Sequence, residues 1–178
     1  MVAALNAGVR TIEHDTYLDE EVADLMIEKR AMPVPTRWIV EFLNASGERL
    51  QMPDYAFKKL IAIVDQHRSA MKIAIQAEVQ IAVGTDMFIS GDHWGTNGRE
   101  LANLVEAGMT PFEAIEAATA NGPLTIGPQA LKTGLLVAGY AADVIAVSGN
   151  PLDDIGLLAD AANVTEVWKD GTLVKGAA

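Results

Sequence analysis

Three short apolar runs, at residues 9–13, 32–35 and 81–84, each close on polar residues, and stretches of helical periodicity separate them. This alternation limits the fold more than any other feature of the sequence. Parallel strands cannot be joined by a tight turn, so strand, amphipathic helix and strand in succession imply parallel βα units. Asp19 can cap a helix running to about Lys29, with Val22, Leu25 and Met26 on one face. Pro33 and Pro35 restrict the second strand to the end of the pairing region. Residues 38–52 read as a long, partly apolar loop. From Asp54 onward Phe57, Leu60, Ile61 and Val64 form a stripe, continued by Met71, Ile75 and Val79 beyond an expected break near His67. Another helix carries Leu101, Leu104 and Val105 and stops at Gly108. Thr110, Pro111 and Glu113 then spell a helix start with a capping box, in which the Glu113 carboxylate reaches back to the Thr110 amide.

Three such units do not close a barrel. From about Gln129 the texture changes to short β runs at residues 143–147, 164–169 and 172–175, with Asp170-Gly171 as a hairpin turn signal between the last two. The expectation is therefore an α/β chain, with βα units over residues 1–128 and a small β region over 129–178. Residues 2–7 resemble the last turn of a helix ending at Gly8, an opening that suggests further chain upstream.

Composition narrows the function classes. Half of the 178 residues are hydrophobic and 21% are charged, which fits a globular protein with a substantial core. No stretch approaches the about 20 apolar residues of a membrane span, and no signal peptide is visible. Cysteine is absent, so disulfides, thiolate metal sites and thiol nucleophiles are excluded, and a cytoplasmic location is expected. With 24 acidic and 13 basic residues the net charge is -11, which repels a phosphate backbone and argues against nucleic acid as a partner.

In βα-barrel enzymes, polar groups at the carboxyl ends of parallel strands form the active site. His14 and Asp86 stand at two such ends. Imidazole nitrogen and carboxylate oxygen both suit zinc or a similar divalent metal. A carboxylate beside metal-bound water can take its proton, leaving the hydroxide that attacks an amide carbonyl. Taken singly, each residue is equally compatible with a hydrogen-bonded strand-end histidine and an ordinary strand-to-turn junction.

The combination is more specific. Ala7-Gly8-Val9-Arg10-Thr11-Ile12-Glu13-His14 resembles the sixth-strand motif of the amidohydrolase superfamily, and Val83-Gly84-Thr85-Asp86 its eighth-strand motif, in the right order with one βα unit between. Gly98-Arg99-Glu100-Leu101, the run from Val105 to Pro111 and the run from Ala114 to Asn121 look like the helices after that strand. Residues 142–147, Asn150-Pro151-Leu152 and Lys169-Asp170-Gly171 look like the β-sandwich tail. The likeness covers nearly the whole chain and is nearest to imidazolonepropionases and prolidase-like Xaa-Pro dipeptidases.

This resemblance implies the sixth to eighth strands of a (β/α)8 TIM barrel with their helices, followed by a β-sandwich segment. It implies His14 as a ligand of the second metal of a binuclear centre, and Asp86 as ligand of the first and general base. The implied reaction is metal-dependent hydrolysis of amide or peptide bonds in small molecules such as dipeptides or N-acyl amino acids, with zinc as the expected metal. His93, in the loop after Asp86, fits substrate contact and equally a solvated loop histidine. Arg37 and Trp38, just past the second strand, could line a pocket, or in the case of Trp38 pack in the core. His67 reads as structural, as does Glu13. Asp15 stands where family members often have glycine, and suits either a partner of the ligands or a turn.

The family's centre also uses a His-x-His pair on the first strand, a carboxylated Lys or Glu on the fourth and a His on the fifth. No His-x-His occurs here, and the other histidines follow the sixth-strand motif. A catalytic zinc usually has three protein ligands, and His14 with Asp86 provides two. Two classes follow: a hydrolase completed by further chain, by a complementing N-terminal half or within a homo-oligomer, and a non-catalytic fragment or assembly module.

Overall fold

The computed structural model describes residues 1–87 and 94–176. The chain has a mixed α/β fold and divides into two compact units, residues 1–88 and 89–178.

In the first unit α1 (Val2–Asn6) leads into β1 (Thr11–Glu13), α2 (Glu20–Lys29), β2 (Met32–Val34), α3 (Arg37–Ser46) and α4 (Asp54–Gln76). β1 and β2 are parallel, with Thr11, Ile12 and Glu13 opposite Met32, Pro33 and Val34, and α2 is the crossover between them. Asp19 caps α2 as its sequence position suggests, accepting the Val22 N–H at 2.9 Å. Leu5, Leu18, Val22, Met26, Met32 and Ile81 are buried and form much of the apolar interior of this unit.

The expected third strand differs. Residues 81–87 run beside β2 but carry no regular ladder; the Ala82 N–H donates to the Pro33 carbonyl at 3.2 Å. The cause lies in β2. Successive residues of a strand present their N–H and C=O to alternate sides. The Met32 N–H and the Val34 carbonyl bond toward β1, to the Arg10 carbonyl and the His14 N–H. Positions 33 and 35 therefore face residues 81–87, and both are proline, without an N–H. The segment can donate to β2 and receives nothing back.

Two other expectations are corrected. Of residues 38–52, read as loop, 38–46 belong to the helix α3, whose Ile39, Val40 and Phe42 are buried. Its signals are weak because Trp, Ile, Val and Phe are modest helix formers and Thr36 makes no side-chain cap bond. The break expected near His67 is absent, since α4 runs unbroken for 23 residues. His67 lies on the buried stripe with Leu60, Ala70, Met71 and Ala74, an apolar position filled by an imidazole.

In the second unit α5 (Arg99–Ala107), α6 (Pro111–Ala118) and α7 (Gly122–Ile126) precede an antiparallel sheet β3-β4-β5 (Val144–Val147, Val164–Lys169, Thr172–Lys175). The Thr110/Glu113 capping box is present: the Thr110 N–H donates to Glu113 Oε2 at 2.7 Å, and Thr110 Oγ1 accepts the Glu113 N–H at 3.3 Å. Asp170 and Gly171, both at positive φ, form the two-residue turn between β4 and β5. α5 packs against α6 and against a 3-10 turn at Ile155–Ala159. Gly98 fits there because a Cβ would lie 1.8 Å from the Leu158 carbonyl oxygen. The texture change at residue 129 falls within this unit, where helices give way to the sheet.

Candidate active site

Three chain segments in the first unit end together. β1 ends at Glu13, and the His14 N–H donates to the Val34 carbonyl at 3.0 Å, carrying the pairing one residue further. The backbone then turns at His14 (φ 68°) and Asp15 (φ 29°), and the Asp15 carbonyl accepts the Leu18 N–H on the way into α2. β2 ends at Val34, and Thr36 follows in the left-handed region at φ 55°, ψ 39° before α3 begins. Residues 81–87 reach Asp86, at φ 50°. β1 and residues 81–87 bond opposite sides of β2, so Thr36 stands at the end of the middle segment, with His14 and Asp86 at the ends of its neighbours.

Backbone strain marks this edge. Of the eight non-glycine residues at positive φ among the described residues, four are His14, Asp15, Thr36 and Asp86. Arg30, by contrast, has an ordinary task as the C-cap of α2, and Asp170 as a hairpin corner. Left-handed backbone costs a residue with a Cβ about 1–2 kcal/mol, and a β-branched threonine is a genuine outlier there. Strain of this kind persists where surrounding structure enforces it, and it collects at functional sites. The positive φ at Asp15 also gives a reason why glycine suits that position. The Asp15 side chain is buried.

The polar contacts show what holds the edge in place. His14 Nδ1 lies 2.8 Å from Thr36 Oγ1. His14 and Asp86 are exposed, and Thr36 is buried. One residue before Thr36, the Pro35 carbonyl accepts a hydrogen bond from His67 Nε2 at 2.8 Å. Burial pushes the His67 imidazole down to about 4, and the charge of Arg37 adds to that, so the ring is neutral near pH 7. Its Nε2 carries the proton because a carbonyl can only accept. His67 Nδ1 is buried with no hydrogen-bond partner among the described residues.

Arg37 is placed differently from a pocket-lining residue. It is 1% exposed, with its guanidinium ion-paired to Glu41 one helical turn on and donating to the Val64 carbonyl at 2.7 Å. It ties α3 to α4. Partial burial works to raise the Glu41 carboxyl, but the hydrogen bonds and charges of Arg37 and Arg68 outweigh it and hold the group below the ordinary carboxylate range. Trp38 packs against Phe42, with ring centroids 6.0 Å apart. His93 lies outside the described residues. Thr36 escapes a reading of the sequence, because its chemistry is in its backbone angle and its partner; the one available signal is a polar residue just past a strand.

The donors present suit part of a metal site. His14 offers an exposed imidazole whose Nδ1 is already held, which is how proteins orient a ligand nitrogen toward a metal. Asp86 offers an exposed carboxylate. Among the described residues no group of three or more His, Asp, Glu or Cys stands close enough to hold a metal ion.

A family model described as "Amidohydrolase family" matches residues 1–174. The chain belongs to the amidohydrolase family. An ochratoxinase of Aspergillus niger is 49% identical over 178 residues, covering 99% of this chain and 36% of that protein. The crystal structure of A. niger ochratoxinase superposes with a TM-score of 0.84 at 47% identity, over 99% of this chain and 39% of that one. A Xaa-Pro dipeptidase with methionine bound in its active site gives a TM-score of 0.83 at 37% identity, over 97% of this chain and 41% of its own. The chain thus spans about two fifths or less of the length of these relatives, and its structural neighbours include ochratoxinase and a Xaa-Pro dipeptidase. No helix among the described residues is long and apolar enough to cross a membrane.

Proposed function

We propose that this chain contributes the His14 and Asp86 edge of a metal-dependent hydrolase that cleaves amide or peptide bonds of small molecules, such as dipeptides or N-acyl amino acids. The observation that carries the reading is the convergence of His14, Thr36 and Asp86, all in left-handed backbone, at the carboxyl ends of three adjacent segments. That is where barrel enzymes place catalytic groups. Membership of the amidohydrolase family and the likeness to a Xaa-Pro dipeptidase support the reaction class. In this reading residues 1–128 are the last three βα units of a barrel, and residues 129–178 belong to a β-sandwich.

His14 would hold one divalent metal, with zinc the expected ion, and Asp86 a second. Such a metal supplies a polarised carbonyl and an acidified water. Asp86 would accept a proton from attacking water, a role that the exposure of its carboxylate at the edge supports. His14 is held by Thr36 and contributes a fixed nitrogen. In this reading further ligands would come from additional chain, from a complementing N-terminal half or from a second copy; among the described residues no group of three stands together. The same observation favours a second reading, in which the chain is a non-catalytic assembly module.

Metal analysis of the 178-residue protein dialysed against zinc, with an assay on a dipeptide panel, separates the two. About two metals per chain with turnover abolished by Asp86→Asn supports the hydrolase reading with ligands recruited between chains. Turnover unchanged by Asp86→Asn refutes the assigned role. Absence of both metal and turnover, persisting when an N-terminal half carrying the His-x-His pair is supplied, favours the module.

A further inference from the structure

We infer that Thr36 is a positioning residue for His14: its hydroxyl oxygen accepts the proton of His14 Nδ1, leaving Nε2 bare with its lone pair free for a metal. The direction of that hydrogen bond rests on the reading of His14 as a metal ligand, since a ligating nitrogen must be unprotonated.

Thr36 occupies the N-cap position of α3. A threonine there ordinarily spends its hydroxyl on a backbone N–H of the first turn. Thr36 makes no such bond, because its left-handed backbone turns the side chain away, and Oγ1 lies 2.8 Å from His14 Nδ1 instead. A helix cap has been given up for a contact with one imidazole.

The rest of the side chain is fixed as well. A Cβ on Gly84 would approach Thr36 Cγ2 at 3.9 Å and Val34 Cγ1 at 2.6 Å, so residues 81–87 lie close over the threonine methyl and over Val34. Threonine presents a methyl toward Gly84 and a hydroxyl toward His14, which neither serine nor valine does. His67 supplies the third constraint. Its neutral, buried ring donates from Nε2 to the carbonyl of Pro35, the residue that sets the Thr36 backbone. The order of support runs from α4 through His67 and Pro35 to Thr36, and from there to His14.

The chain has three histidines, so nitrogen-15 spectra of the imidazole rings can be assigned by single substitutions. Spectra are recorded at a pH high enough that the shifts no longer move. In the wild type His14 should show a protonated Nδ1 and a bare Nε2, and His67 the opposite pattern. Thr36→Ser should keep the His14 pattern, and Thr36→Val should move its dominant form toward Nε2–H. Retention of the His67 pattern in Thr36→Val shows that the frame is intact; if that variant does not fold, the wild type and Thr36→Ser decide. A wild-type His14 protonated on Nε2, or a folded Thr36→Val with an unchanged His14, overturns the inference. Zinc tests the underlying reading separately. If the wild type has a bare Nε2 that zinc leaves unperturbed, also with the N-terminal half supplied, His14 is not a ligand and the Thr36 assignment stands.

Discussion

Acidification should weaken the first unit through His67, in a pH window bounded by its folded and ordinary values. Its imidazole is held neutral by burial, at about 4 in the folded chain, against an ordinary value near 6.5. Between these values the unfolded chain binds a proton at His67 and the folded chain does not. Stability therefore rises with pH across the window, and the contribution is complete above about pH 6.5 and gone below about 4. At 1.36 kcal/mol per pH unit the full effect is about 3 kcal/mol. The comparison is His67→Gln, which keeps an N–H donor for the Pro35 carbonyl and does not titrate. Urea unfolding of both proteins at pH values from 4.5 to 7.5 gives the difference in stability at each pH, and that subtraction removes contributions shared by other groups. Glu41 titrates lower: its folded value is depressed, so its contribution is present above the ordinary carboxylate value and lost below it. The wild type should gain on the variant by roughly 2 kcal/mol or more from the bottom of that range to the top. A difference that stays flat refutes the idea that His67 is buried as a neutral ring.

Three further changes probe the scaffold. Glu41→Gln leaves the guanidinium of Arg37, 1% exposed, without its ion pair and should cost about 2 kcal/mol in urea unfolding, below the cost for a fully buried pair because Glu41 is partly solvated. Thr110→Ala removes the capping box of α6 and should cost about 1 kcal/mol, seen as a lower midpoint in thermal unfolding. Gly98→Ala should cost about 1–3 kcal/mol by the same measurement, since the new methyl meets the Leu158 carbonyl of a 3-10 turn and backbone must shift.

Where sequence and structure agree, the determinants are local. Asp19 before an apolar stripe, Thr110-Pro111 with Glu113, and Asp170-Gly171 between β runs each settle one backbone feature with side chains a few residues apart. The α3 segment defeated the reading because its helical signal comes from tertiary contacts: Arg37 to the Val64 carbonyl, and Ile39, Val40 and Phe42 in the interior. The break expected near His67 failed for a related reason. A periodicity count treats histidine as polar, whereas a histidine with a carbonyl to bond and water excluded behaves as a core residue. No short window of sequence pairs His67 with Pro35, which lies 32 positions away.

The site divides along the same line. His14 and Asp86 were open to proposal from the sequence because each closes a short run that resembles a strand motif of the family. Thr36 was not, because threonine is ordinary at an N-cap and becomes informative only when its hydroxyl fails to cap. The prolines join the two halves. Pro33 and Pro35 remove the N–H groups that β2 would offer to residues 81–87, so that segment meets β2 through the Ala82 N–H on the Pro33 carbonyl and the close approach of Gly84. Two bonded strands thus fix His14, while Asp86 hangs from a segment with little ladder of its own. The same prolines leave the Pro33 carbonyl to Ala82 and the Pro35 carbonyl to His67, which anchors the turn carrying Thr36. In physical terms the His14 side of the site is preorganised by hydrogen bonds, and the Asp86 side depends on packing. Loss of the His67 bond should therefore disturb His14 more than Asp86, although His67 touches neither.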